Sequence, residues 1–169
     1  MPDATEHSLV SSYREVVLEH LLDGALMREL WLSGVRRIEV LKPQVDDSGY
    51  DLVLEAQGIV RHVQLKASFA GSKVREVTVN HALAKKPSGC VVFLRFDAPT
   101  LEFTEFGFFG GPPGAPLPSL TEFKPAKHSR ANSKGVKALR PNISSVPVSK
   151  FEHVESIAHL AIKLFGSAG

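Results

Sequence analysis

The stretch DDSGYDLVLEAQGIVRHVQLKAS, residues 46–68, decides how the chain folds. Apolar and polar residues alternate on either side of Gln57-Gly58, a period of two that predicts two strands joined by a hairpin. Val63 and Leu65 read as core residues, so Gln64 and Lys66 share the opposite face of their strand. If the hairpin closes through a two-residue turn at Gln57-Gly58, or a four-residue loop over residues 56–59, Asp51 falls directly opposite Gln64. Their Cβ atoms are then about 4.5–5.5 Å apart, with Lys66 one step along the same face. A three-residue loop shifts the register by one and sets Asp51 against an apolar residue.

A carboxylate, an amide and an ammonium on one face have a chemical use. Asp51 can bind a hard divalent cation, Mg²⁺ or Mn²⁺, and the side-chain oxygen of Gln64 and the carbonyl of Leu65 can add ligands. Lys66 can orient or help deprotonate an attacking water, which together is equipment for phosphodiester hydrolysis. The plainer alternative is a surface salt bridge between Asp51 and Lys66. Three neighbouring features favour the chemical reading. Asp47-Ser48-Gly49-Tyr50-Asp51 has the form D-x-G-x-D, with a glycine where a tight turn precedes the strand. Glu15 and Glu19, four residues apart on the first helix, share a helical face and can supply a further carboxylate. Ser68 continues the Lys66 face.

The rest of the chain frames this hairpin. Residues 12–32 carry Val16, Val17, Leu21, Leu22, Ala25, Leu26 and Leu30 at helical spacing, predicting one long amphipathic helix with a soft interruption at Gly24. VRRIEVLK (residues 35–42) predicts a strand before the hairpin, and CVVFLRF with LEFTEFGF predicts a strand pair around Asp97-Ala98-Pro99. VNHALAKK between them is a short helix candidate. Residues 107–150 read as a long Gly/Pro-rich basic loop, and residues 151–166 as a C-terminal helix, within one domain spanning 1–169. The order of elements predicts an α/β fold, a central mixed sheet flanked by helices.

Composition sets limits on function. A length of 169 residues and 43% hydrophobic content suit a packed globular domain. The single Cys90, in an apolar run, excludes an internal disulfide and reads as a buried strand residue, which suits a reducing cytoplasm. The N-terminus has acids where a signal peptide needs positive charge, and no apolar run is long enough to span a membrane. The net charge is only +2, but no Asp or Glu occurs between Phe123 and Phe151, where Lys124, Lys127, Arg130, Lys134, Lys137, Arg140 and Lys150 all fall. That band fits either a polyanion partner or a solvated basic loop. Trp31 reads as core, His62 as a partly exposed neighbour of the site, and His81 and His128 lack partners at metal-binding spacing.

Residues 12–96 resemble the PD-(D/E)XK nuclease superfamily, in the branch where glutamine replaces the second acid, as in Mrr-like restriction endonucleases. The resemblance implies a restriction-endonuclease-like core: a leading helix with a Glu, three antiparallel strands, a helix and a further strand. It implies that Glu19 or Glu15, Asp51 and Gln64 hold metal and that Lys66 acts on the nucleophilic water. The expected function is metal-dependent endonucleolytic hydrolysis of DNA, and the resemblance suggests restriction of, or other defence against, foreign DNA. The alternative is a catalytically inactive nucleic-acid-binding or partner-binding module on the same fold. With no recognition domain visible, sequence specificity needs the basic tail, a homodimer or a separate specificity protein.

Overall fold

The computed structural model describes residues 10–45, 47–131 and 133–167. Helix α1 (Ser11–Leu32) leads into strands β1 (Glu39–Leu41), β2 (Leu52–Ala56), β3 (Ile59–Phe69) and β4 (Glu76–Asn80), then a 3₁₀ turn over His81–Lys85. Strands β5 (Gly89–Phe96), β6 (Phe103–Gly110), β7 (Pro125–Lys127) and β8 (Leu139–Pro147) follow. A second 3₁₀ turn, strand β9 (Glu152–Val154) and helix α2 (Ile157–Phe165) close the chain.

The fold is mixed α/β, a central mixed sheet flanked by two helices. The central sheet has the order β1-β2-β3-β5-β6-β9, and a second sheet has the order β4-β8-β7. β1, β2 and β3 are antiparallel, and β5 lies parallel to β3. Three antiparallel strands and a further strand are thus present in the expected order, the last lying parallel to β3. One face of the central sheet packs under α1 and α2 through Val63, Cys90, Val92 and Leu94. The other face meets the second sheet, where Val91, Phe93 and Phe109 share a core with Val77, Val79 and Val146.

The hairpin closes as the shorter turn predicts. Gln57 and Gly58 both have positive φ (54° and 75°), the signature of a two-residue type I′ turn, and Ala56 pairs with Ile59. Gly49 has φ +78°, and a Cβ there would lie 3.0 Å from the Asn80 Cβ. The turn before β2 therefore packs directly on the 3₁₀ segment, which is why a glycine stands in the D-x-G-x-D position.

Several expectations need correction. Helix α1 runs unbroken through Gly24, and its buried stripe is Leu18, Leu22, Leu26 and Leu30, each four residues on from the last. Val16 and Leu21 face solvent, and Trp31 is 57% exposed with the Arg36 guanidinium 4.3 Å from its ring, rather than buried in the core. The helix is apolar on both sides, so periodicity alone did not identify which side is buried. The strand over residues 35–42 shrinks to the three residues of β1. The expected helix in VNHALAKK is a single 3₁₀ turn, N-capped by the Asn80 side chain accepting from the Ala82 amide at 2.9 Å, and β4 stands where the family pattern has its second helix. Residues 107–150 are not one loop: β6 extends to Gly110, and β7, β8 and a 3₁₀ turn occupy much of the rest. The C-terminal helix is shorter than 151–166, because β9 precedes it and Ser156 caps it by accepting from the His159 amide at 3.1 Å.

Arg61 falls by alternation on the Val63 face, and it is fully buried there. Its Nε donates to the Leu164 carbonyl at 2.9 Å, and its Nη2 donates to the Lys163 and Gly111 carbonyls at 2.9 and 3.0 Å. The last carbonyls of a helix have no partners within it and sit at the negative end of its dipole, so a buried cation here satisfies two of them. Burial lowers the Arg61 pKa and pushes the neighbouring Cys90 thiol up to about 12, which leaves that thiol protonated and inert.

Candidate active site

β2 begins at Leu52, paired with Val63, while β3 runs on to Phe69. The second half of β3 is therefore an open edge on the β2 side. Successive residues of a strand send their amides to opposite edges. The His62 amide serves the β5 side, donating to the Ser88 carbonyl at 3.3 Å, so the Leu65 amide serves the open side. Its partner is the Asp51 carboxylate, whose Oδ2 accepts from the Leu65 N–H at 2.6 Å. The N–H and C=O of one strand residue point the same way, so the Leu65 carbonyl also faces the open edge.

The N-terminal half of α1 lies across this opening. Ser12, Arg14, Glu15, Val16, Leu18 and Glu19 form one wall of a cleft of about 590 Å³, and Asp51, Leu65, Lys66, Ala67 and Leu94 form the other. Five of the residues singled out from the sequence thus share one cavity: Glu15, Glu19, Asp51, Leu65 and Lys66. The helix spacing explains two of them. Glu15 and Glu19 lie just beside the Leu18-Leu22 stripe that seats α1 on the sheet, so the seating turns them toward the β3 edge.

Gln64 does not line this cleft. The Asp51 amide donates to the Val63 carbonyl at 2.8 Å, and Val63 already opposes Leu52, so two residues of one strand face one of the other, in the manner of a bulge. The carboxylate consequently reaches the β3 edge instead of facing Gln64 across a regular ladder. Gln64 stands beside Val91, on the face covered by the second sheet. It is 8% exposed, and its Oε1 is buried with no hydrogen-bond partner among the described residues.

The two helix acids differ. Glu15 is exposed, whereas Glu19 is largely enclosed and forms an ion pair with Lys42, which follows β1. One turn further on, burial raises the Asp23 pKa and the Glu19 charge raises it further, while Lys42 and His20 pull it down. Arg14, Asp23 and Lys42 were missed from the sequence. The Glu15-Glu19-Asp23 series at steps of four was a legible signal for Asp23. Lys42 had none, because only the docking of α1 beside β1 brings it to Glu19.

The six basic residues Lys124, Lys127, Arg130, Lys134, Lys137 and Arg140 are exposed and belong to the β7–β8 hairpin and its approach, and none of them lines the cleft. His62 places Nδ1 2.7 Å from the Pro87 carbonyl and packs edge-on to Tyr50, and His81 places Nε2 2.8 Å from the Ser144 hydroxyl, so both have structural partners.

No protein-family model matches the chain, and no curated protein does. Among solved structures the chain is similar to a bacterial homing endonuclease, with 21% identity over 65% of this chain and 67% of that one, and a TM-score of 0.30. So remote a likeness bears on neither the site nor its chemistry.

Among the described residues no three carboxylate, imidazole or thiol side chains converge as a preformed metal cage. Mg²⁺ does not need one, since it keeps several waters and is commonly held by one or two carboxylates. The oxygen donors that the cleft offers are the Asp51 and Glu19 carboxylates, the latter paired with Lys42, and the edge-facing Leu65 carbonyl, whereas Gln64 lies outside it. The donor set is all oxygen, which fits Mg²⁺ or Mn²⁺.

Proposed function

We propose that the chain is a metal-dependent endonuclease-like protein that hydrolyses phosphodiester bonds in DNA at the α1–β3 cleft, on a restriction-endonuclease-like core. The observation that carries this reading is the meeting of Glu15, Glu19, Asp51, Leu65 and Lys66 around one cavity, from a helix and a strand edge far apart in sequence. Asp51, Glu19 and the Leu65 carbonyl are the proposed ligands, with Glu15 as the alternative helix acid; Gln64, which lies outside the cleft, would reach a cation there only after rearrangement. When bound, Mg²⁺ or Mn²⁺ would supply a Lewis acid and an activated water.

The chain's own groups have distinct tasks in this scheme. The Leu65 amide holds one oxygen of Asp51, which fixes the position of the carboxylate at the β3 edge. Lys66 orients the attacking water, and its positive charge favours loss of that water's proton and offsets the acids that would repel a phosphate. Lys124, Lys127, Arg130, Lys134, Lys137 and Arg140 contact the DNA backbone. The proposed setting is the cytoplasm, with a homodimer or a separate specificity protein as partner.

The test is cleavage of plasmid and linear duplex DNA with Mg²⁺ or Mn²⁺. Cleavage by the wild type that falls by about 10²–10⁴-fold in Lys66→Ala, with an unchanged melting temperature, supports the reading. Absence of cleavage by the wild type with either metal sinks it. A second reading, an inactive binding module on the same fold, is favoured by one observation, the commitment of Glu19 to Lys42. DNA binding without cleavage is its expected result.

A further inference from the structure

The register between β7 and β8 slips. Pro125 pairs with Ser144, but the next pairs are Ala126 with Arg140 and Lys127 with Leu139, so residues 141–143 are looped out of the ladder. Pairing then continues outward, the His128 amide donating to the Ala138 carbonyl at 2.9 Å. On the body side of this bulge, Ile143 to Pro147 alternate between half-buried and buried. On the far side, Leu139 to Asn142 are all exposed, as is every described residue from Lys127 to Ala138. A strand packed on anything shows burial with a period of two, so the absence of that period means that neither face of the outer hairpin is covered. Bulges bend the strand that carries them, and this one lies at the base of the ribbon, where Ala126 is the last buried residue before the solvent-exposed segment.

The ribbon carries Lys127, Arg130, Lys134, Lys137 and Arg140 and no carboxylate. A two-stranded ribbon fits the B-form major groove, which is about 12 Å wide and flanked by phosphates. The major groove of an A-form RNA helix is too deep and narrow to admit one. We infer that the outer β7–β8 ribbon enters the major groove of B-form duplex DNA, with its cations on the flanking phosphates. The inference rests on the reading of the chain as a DNA-acting protein, and it makes the ribbon the element that selects duplex DNA and sets the protein's register on it.

The experiment measures affinity for one sequence as duplex DNA and as duplex RNA over a range of salt, with the wild type and two variants. In one variant residues 129–137 are replaced by Asn-Gly, which the His128–Ala138 pairing can close as a two-residue turn. The other carries Lys134→Ala and Lys137→Ala, and the melting temperature reports that each folds. Expected are at least tenfold weaker binding of duplex RNA by the wild type, and at least tenfold weaker DNA binding by the shortened variant. The double substitution should lower the slope of log K against log salt by about 0.9 per lost contact. A dye that fills the major groove should displace the protein, and a minor-groove ligand should not. Equal affinity for RNA, an unchanged slope, wild-type affinity in the shortened variant, or displacement from the minor groove overturns the inference, as does a wild type that binds no duplex. Binding without hydrolysis is distinguishable: it counts against the proposed chemistry and leaves the ribbon's role supported.

Discussion

The Asp51 carboxylate accepts the Leu65 backbone N–H at 2.6 Å, just before β2 begins and beside the part of β3 that runs on past it. An amide on an open strand edge normally seeks another strand or water. Here a side chain takes it, which both terminates the ladder and fixes a carboxylate beside an edge-facing carbonyl. Asp51→Asn keeps an acceptor for that amide and removes the charge. The fold should survive, with a melting temperature close to the wild type's. If the site works as proposed, cleavage should fall by about 10²-fold or more, and titration with Mn²⁺ should show weakened metal binding. Unchanged activity in Asp51→Asn would remove Asp51 from the ligand set.

Lys42 competes with any cation for Glu19, because the two side chains are already paired. Lys42→Met retains most of the aliphatic stem and frees the carboxylate. The expected result is a lower Mg²⁺ concentration at half-maximal activity, read from a metal titration. A shift to higher metal would show that Lys42 supports the site rather than competing with it.

Gln64→Glu puts a carboxylate where a buried oxygen has no partner. Without metal the new charge should destabilise the fold at neutral pH, because an isolated buried carboxylate is costly. If that oxygen is a ligand, Mg²⁺ should restore the melting temperature of Gln64→Glu and raise it by more than it raises the wild type's. Equal metal-induced shifts in the two proteins would place Gln64 outside the ligand set.

Asp23 gives a pH dependence of definite sign. Burial and the neighbouring Glu19 hold its carboxyl above the ordinary value of 3.8, so the folded state keeps this proton to a higher pH than the unfolded state does. Between the two values the folded state binds more protons, and stability is lost as pH rises through that window. Asp23→Asn should therefore gain stability relative to the wild type as pH rises from 4 to 7, measured by urea unfolding at each pH. A variant that loses ground over that range would contradict the assignment.

Arg61→Met keeps the apolar stem and removes the charge-assisted bonds to the carbonyls of Leu164, Lys163 and Gly111. The cost should be about 2–4 kcal/mol in urea unfolding. α2 should lose hydrogen-exchange protection before the strands do, because its C-terminal carbonyls are the groups left unsatisfied.

The sequence by itself determined whatever depends on local pattern. The β2–β3 hairpin and its turn were legible because side-chain alternation and a Gln-Gly pair specify register within a few residues, and α1 and the β5–β6 pair followed from period alone. Glu15, Glu19, Asp51, Leu65 and Lys66 were singled out from the sequence and line one cavity, but Gln64, expected with them, does not. Tertiary structure decided the rest. Which side of α1 is buried depended on the sheet, since apolar residues lie on both sides of the helix. Asp51 meets the Leu65 amide instead of Gln64 because Asp51 and Leu52 both face Val63, just before regular β2 pairing begins. The outer β7–β8 ribbon carried no alternation to read, since beyond the buried Ala126 every described residue from Lys127 to Asn142 is exposed. Arg61 looked like an intruder in an apolar run until α2, a hundred residues later, brought the unsatisfied carbonyls that a buried cation can serve.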